Sequence, residues 1–319
     1  MNASENIESI FHREEPVFSR NDFITKFEDK NIEVWLKRED LLHPEVSGNK
    51  FRKLKYNVLE AKRLQKKRIL TFGGAFSNHI AATAAAGRIH NIPTFGVIRG
   101  EELGKDLQKT LKSNPTLKFA SQNGMQFHFI AREDFRRKND PDFIESLYAE
   151  FGDFYLVPEG GTNEFAIQGC EEILSKEDKN FDFICVAAGT GGTASGLINA
   201  SAENQNVLAF SALKGDFLKD EIGRFSNKKN WTLVSDEYFG GYAKINEELV
   251  SFINEFKTEF RIQLDPVYTG KMMFSVFEMI KKNQFPENSR ILAIHTGGLQ
   301  GIAGMNRRLE KKKMSLIIE

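Results

Sequence analysis

Phe183-Ile184-Cys185-Val186-Ala187 runs through Ala188 into Gly189-Thr190-Gly191-Gly192-Thr193 and then into Ala194-Ser195-Gly196-Leu197. The apolar run reads as a buried strand, and the small residues after the glycines read as the start of a helix. Strand, glycine loop and helix start form the layout in which free backbone N–H groups and the helix dipole converge on an anion. Glycines let the backbone approach a phosphate closely, and the hydroxyls of Thr190 and Thr193 can donate further hydrogen bonds. The same residues would also serve a tight strand-to-helix turn that binds nothing.

Working outward, short β-rich runs alternate with longer helical patterns. Strands are expected at Val34–Lys37, Ile69–Phe72, Thr94–Ile98, Gln126–Ile130, Tyr155–Val157, Phe183–Ala187, Val207–Phe210, Trp231–Val234 and Ile291–His295. Helices are expected between them, among others over Phe51–Gln65, Asn78–His90, Glu164–Ser175, Thr193–Ala202 and Lys271–Lys282. This alternation implies an α/β protein with open, mostly parallel sheets and helices on both faces. Nine strands are many for one sheet, so two α/β units are expected, with no repeat or low-complexity linker between them. The polar stretch Asn114–Gly124 reads as a surface loop.

Lys plus Arg equals Asp plus Glu at 44 each over 319 residues, so the net charge is zero. Nucleic acid and anionic membranes want a basic excess and are not the expected partners. No apolar run approaches bilayer length, and the polar amino terminus lacks the apolar core of a signal peptide. Cys170 and Cys185 are the only cysteines. Both fall in buried-looking segments, which points to a reduced, cytoplasmic protein.

Rival chemistries lose on particular residues. Gly189, Gly191 and Ala194 satisfy the dinucleotide pattern G-x-G-x-x-A, but that site needs an acid near the end of the next strand. That strand ends in Phe210-Ser211, and the first acid beyond it is Asp216. No nucleotide-triphosphate loop and no G-x-S-x-G elbow occur. The six histidines (His12, His43, His79, His90, His128, His295) are scattered and the cysteines form no C-x-x-C, so no metal site is expected.

Upstream lies Ser47-Gly48-Asn49-Lys50-Phe51-Arg52-Lys53-Leu54. Lysine becomes a nucleophile only when its ammonium form is disfavoured, and neighbouring cations are one way to achieve that. A solvated helix face would look the same. Taken with the glycine loop, a reactive lysine and a phosphate cradle point to pyridoxal phosphate.

Four segments, in order, resemble the pyridoxal-phosphate enzymes of the tryptophan-synthase-β-like fold, and within them the branch of aminocyclopropane-carboxylate deaminases and D-cysteine desulfhydrases. They are Leu36-Lys37-Arg38-Glu39-Asp40 with Gly48-Asn49-Lys50; Gly73-Gly74-Ala75-Phe76-Ser77-Asn78-His79; Ala188 to Thr193; and Asp265-Pro266-Val267-Tyr268-Thr269-Gly270-Lys271 with His295-Thr296-Gly297-Gly298. The resemblance implies that Lys50 holds the cofactor covalently. Lys53 would neutralise its phosphate beside Gly189 to Thr193, Asn78 would bond its ring hydroxyl, and Tyr268 would lie against it as a catalytic aromatic. Ser77, with Asn78, His79 and Thr296, would contact a small amino-acid substrate, and Ser77 would handle a proton or bind the carboxylate. Taken alone, Ser77 and Asn78 read equally as helix capping, and Tyr268 as a half-buried loop residue.

The resemblance also implies two domains, residues 1–55 with 160–319 holding the cofactor and 56–159 forming a smaller mobile unit, and a homodimer. Thr269 and Thr296 stand where the ring-opening deaminases carry a glutamate and a leucine. A threonine against the ring nitrogen would make a weaker electron sink than a carboxylate. That favours β-elimination from a D-amino acid such as D-cysteine over cyclopropane opening. The remaining alternatives are another lyase or a racemase, and a cofactor-binding protein without efficient turnover. The branch pattern is broken at Ile80-Ala81-Ala82-Thr83 and Leu299-Gln300-Gly301, departures expected to touch the substrate pocket.

Overall fold

A computed structural model describes residues 10–11, 18–213, 215, 217–235 and 238–319. His12 and Asp216, which entered the reading above, lie outside the described residues. The strands are β1 (Asn21–Phe27), β2 (Ile32–Lys37), β3 (Ile69–Gly74), β4 (Thr94–Arg99), β5 (Gln126–Ile130), β6 (Tyr155–Val157), β7 (Phe183–Ala188), β8 (Asn206–Ser211), β9 (Trp231–Val234) and β10 (Arg290–Ile294). The helices are α1 (Asn49–Arg63), α2 (Asn78–Ile89), α3 (Leu107–Ser113), α4 (Pro115–Gln122), α5 (Arg132–Arg136), α6 (Pro141–Phe151), α7 (Glu164–Glu171), α8 (Gly192–Ala200), α9 (Phe217–Phe225), α10 (Glu247–Phe260), α11 (Thr269–Lys281) and α12 (Gly301–Lys311).

Two sheets form. The larger has the order β1-β2-β10-β7-β8-β9 and is parallel apart from the β1–β2 pair; the smaller, β5-β4-β3-β6, is parallel throughout. Each is covered on both faces, as parallel sheets require. Along β7, Cys185 and Ala187 enter one buried cluster while Ile184, Val186 and Ala188 enter another, the two-residue period of a strand between helical layers. In β3, Ile69 faces α1 and α2, whereas Leu70 and Phe72 face the cluster that includes Leu147 of α6.

The nine expected strands all occur, and β1 is a tenth. The expected loop over Asn114–Gly124 is instead mostly α4. Asn114 caps it by accepting from the Leu117 N–H at 2.9 Å, and Pro115 occupies the first helical position, where a missing N–H costs nothing. Leu117 and Ala120 of α4 are fully buried.

The loops after β3, β6, β7 and β10 leave the carboxyl ends of parallel strands, where ligands of open α/β sheets bind. All four border one cavity of about 760 Å³.

Candidate active site

The cavity is closed on one side by the start of α1. Gly48 adopts φ 61°, and a Cβ there would lie 2.0 Å from the Thr296 carbonyl oxygen. Glycine is therefore required for α1 to press against the segment after β10, where the Asn49 N–H donates to the Thr296 oxygen at 3.2 Å. This contact places Lys50 in the first helical turn with its amine on the cavity wall. Lys50 Nζ donates to Asn49 Oδ1 at 3.0 Å, and Asn49 Nδ2 donates to Thr193 Oγ1 at 2.8 Å. The Lys50 pKa is pushed down to about 7, first by burial and second by the charge of Lys53. Neighbouring cations were the expected cause; desolvation outranks them.

The basic run of α1 is not a solvated face. Arg52, fully buried, donates through Nε and Nη2 to both oxygens of buried Glu39 at 2.8 Å each. Lys55 pairs with Glu172 at 2.8 Å, and Tyr56 donates to the same carboxylate. Two charges are thus neutralised behind the helix. Lys50 and Lys53 face the cavity with no carboxylate partner among the described residues.

The glycine loop closes the adjoining wall. Gly191 caps α8 with φ 80°, and a Cβ on Gly192 would lie 3.0 Å from Lys53 Nζ and 2.9 Å from Thr162 Oγ1. Lys53 Nζ reaches the Gly160 carbonyl at 3.1 Å, Thr162 Oγ1 at 3.1 Å and Thr190 Oγ1 at 3.5 Å, and Thr162 and Thr190 hydrogen-bond at 2.6 Å. Burial lowers the Lys53 pKa. A desolvated ammonium among neutral oxygens at the start of a helix is an anion site. Gly160 and Thr162 were missed in the sequence reading. The available signal was a second Gly-Gly-Thr, residues 160–162, repeating residues 191–193.

Ser77 is the N-cap of α2, accepting from the Ile80 N–H at 3.4 Å, and it also lines the cavity. The capping reading therefore holds and does not displace the other. Asn78 lines the cavity too, and its side chain makes no hydrogen bond among the described residues. A Cβ on Gly298 would lie 2.7 Å from Asn78 Nδ2, so the glycine after β10 lets that amide approach. His79 is buried beneath. The Thr71 hydroxyl donates to the Val157 oxygen at 2.8 Å, so it accepts from His79 Nε2 at 2.8 Å, and these bonds assign the tautomer. His79 Nδ1 is left buried without a partner. Burial, then Lys50 and Lys53, hold the His79 pKa well below its usual value, so the ring is neutral.

Tyr268 packs its ring on the loop: a Cβ on Gly189 would be 3.2 Å from Tyr268 Cε1. Burial, with Tyr242 next, raises the Tyr268 pKa well above its ordinary value. Thr296 borders the cavity through the segment that receives Gly48.

Thr269 is placed differently. It is fully buried, its hydroxyl donates to Asp265 Oδ2 at 2.6 Å, and it accepts from the Asp265 N–H at 3.0 Å. Asp265 also accepts from the N–H groups of Val267, Tyr268 and Thr269 at 2.8–2.9 Å, and it is Asp265 that reaches the cavity wall. Asp265 opens the fourth segment quoted above but was given no role there, although Asp-Pro before a helix is a turn-initiating signal. Ile80, Ala81, Ala82 and Thr83 are all buried, and none borders the cavity. That departure from the branch pattern therefore belongs to core packing against β3, where Ile80 meets Gly73.

The family model for pyridoxal-phosphate dependent enzymes matches residues 20–297. The chain is 31% identical over 295 residues to the bifunctional D-cysteine desulfhydrase/1-aminocyclopropane-1-carboxylate deaminase, mitochondrial, of Arabidopsis thaliana, covering 85% of this chain and 73% of that one. It is 26% identical to the D-cysteine desulfhydrase of Yersinia enterocolitica, covering 83% of this chain and 86% of that one. A solved structure of an ACC deaminase homologue superposes with a TM-score of 0.79 at 26% identity, covering 98% of this chain and 99% of that one.

Proposed function

Because the chain belongs to the pyridoxal-phosphate-dependent enzyme family, and so takes pyridoxal phosphate as its cofactor, we propose that it catalyses α,β-elimination on a small D-amino acid such as D-cysteine. D-cysteine and water would give pyruvate, sulfide and ammonia. The observation that carries this is Lys50 facing the same cavity as Lys53 at a glycine loop, neither with a carboxylate partner among the described residues, in a chain whose relatives are named for such chemistry.

The residues fit the cofactor. Lys53 and the N–H groups at the start of α8 suit its phosphate, and the missing side chain at Gly192 leaves Lys53 Nζ and Thr162 Oγ1 room to lie against the loop. Lys50 would hold its carbonyl carbon, Asn78 its ring hydroxyl, and Tyr268 would lie beside the ring. When bound, the group supplies an electron sink for the substrate α-carbon. Lys50 would hold or move the proton at that carbon, and the burial that lowers its pKa favours the neutral amine needed for that role. Ser77 Oγ and the amino end of α2 orient the substrate carboxylate. Asp265 and Thr269 hold the Tyr268 segment rigid through their mutual bonds.

Residues 56–159, which contain the four-stranded sheet, would move as a smaller domain over residues 1–55 and 160–319. Two free, buried thiols suit a reducing cytoplasm, and a homodimer is part of the same proposal. A panel of D-cysteine, L-cysteine and 1-aminocyclopropane-1-carboxylate, followed by keto-acid and sulfide release, tests the reaction. D-cysteine should give both products and Lys50→Ala neither. Keto acid from the cyclopropane alone would establish ring opening instead, and a yellow protein inert to the whole panel would leave binding without turnover.

A further inference from the structure

The cavity extends past the residues used above to α12. Gly304, Arg307, Arg308 and Lys311 recur at the spacing of one helix face, and all four border it. Arg99, at the end of β4, borders it from the other sheet. No carboxylate pairs with Arg99, Arg307, Arg308 or Lys311 among the described residues; Arg307 donates to the Ser113 carbonyl at 2.5 Å and Arg308 to that of Ala243 at 2.9 Å. A guanidinium carries five N–H donors, so most remain free. The described acids on the cavity wall are already engaged: Glu159 with Lys138 at 3.4 Å, and Asp265 with its own loop. A chain of zero net charge therefore concentrates cations along one cavity. The exposed rings of Phe76, Phe217 and Tyr242 share its wall, and Gly304 lets Phe76 lie on α12, since a Cβ there would be 3.0 Å from that ring.

We infer that the preferred substrate carries a second anion, a carboxylate, phosphate or sulfonate, at the far end of its β-substituent, received by Arg307, Arg308 and Lys311 with Arg99. This rests on the elimination reading and narrows it: the thiol of D-cysteine would leave these cations unengaged. The cavity of about 760 Å³ is shared by cofactor and substrate, and its end between Arg99 and α12 lies beyond the residues assigned to the cofactor.

The test compares O-acetyl-D-serine with O-succinyl-D-serine on the holoenzyme. These are esters of one leaving-group chemistry that differ in a distal carboxylate; O-phospho-D-serine and S-sulfo-D-cysteine are the phosphate and sulfonate arms. At least one anionic substrate should exceed the acetyl ester about tenfold in kcat/KM, chiefly through KM. Lys311→Gln, which breaks no described bond, and Arg307→Gln should remove that preference while leaving the acetyl ester unchanged. Equal rates for all substrates, or variants that slow every substrate alike through lost electrostatic steering, would overturn the inference. The visible band also gives dissociation constants for D-glutamate and D-norvaline, similar in length but not in charge. If neither D-cysteine nor any of these substrates reacts, the elimination reading fails, while tighter D-glutamate binding that is lost in Lys311→Gln still supports the anion site. Equal binding, or none, refutes it.

Discussion

Replacing Lys50 by methionine in the cofactor-free protein should stabilise it, by an amount that depends on pH. Burial, helped by Lys53, lowers the Lys50 pKa from 10.5 to about 7. Each tenfold change in proton affinity corresponds to ~1.4 kcal/mol, so full expression of that difference would be roughly 5 kcal/mol. The side chain keeps some solvent contact, which screens part of it, so a gain of about 2–5 kcal/mol is expected. The penalty is complete below pH 7, where folded and unfolded chains both carry the charge. Between pH 7 and 10.5 the unfolded chain still holds a proton that the folded chain has released, so wild-type stability rises with pH across that window. The advantage of Lys50→Met should therefore shrink by up to ~1.4 kcal/mol per pH unit and vanish near pH 10.5. Urea unfolding of both cofactor-free proteins at pH 6.5, 8, 9 and 10 measures the gap. A constant gap would reflect packing alone, and a gap that widens with pH would refute the claim that the amine is desolvated.

Lys53→Met should weaken cofactor binding ~10- to 150-fold by absorbance titration, the worth of one charge-assisted contact, with the fold retained. Gly48→Ala should cost about 2–4 kcal/mol in urea unfolding, because it combines a left-handed backbone with a clash against Thr296; Gly124→Ala, at φ +82° with open space around it, should cost only ~1 kcal/mol. Arg52→Met strands buried Glu39 and should cost about 3–5 kcal/mol, while a change below ~1 kcal/mol would mean that Glu39 takes up a proton instead. Asp265→Asn and Thr269→Val should each destabilise by about 1–3 kcal/mol, and the double variant by less than their sum, because the two share one network.

Parallel strands were legible because both faces are buried, so β3, β4, β7, β8 and β10 appear as unbroken apolar runs. The first strand, Asn21–Phe27, was not: it lies at a sheet edge, pairs only with β2, and keeps most of its side chains partly exposed, so its polar residues hid it. Asn114–Gly124 reads as a loop from its polarity, yet its opening Asn114-Pro115 pair caps α4. The decisive information was the burial of Leu117 and Ala120 against the smaller sheet. The last helix, α12, was masked by its charges, of which Arg307, Arg308 and Lys311 border the cavity.

Local order alone determined the strand–glycine–helix loop at 183–197 and the glycine before Lys50, since backbone freedom and helix starts are properties of neighbouring residues. Tertiary structure decided the chemistry. Lys53 meets Gly160 and Thr162 across more than a hundred residues, Arg52 finds Glu39 behind α1, and Thr269 is taken up by Asp265. Whether a lysine is a solvated cation or a near-neutral amine depends on which groups and how much water surround it. Those surroundings come from segments far apart in the chain, where no local pattern records them.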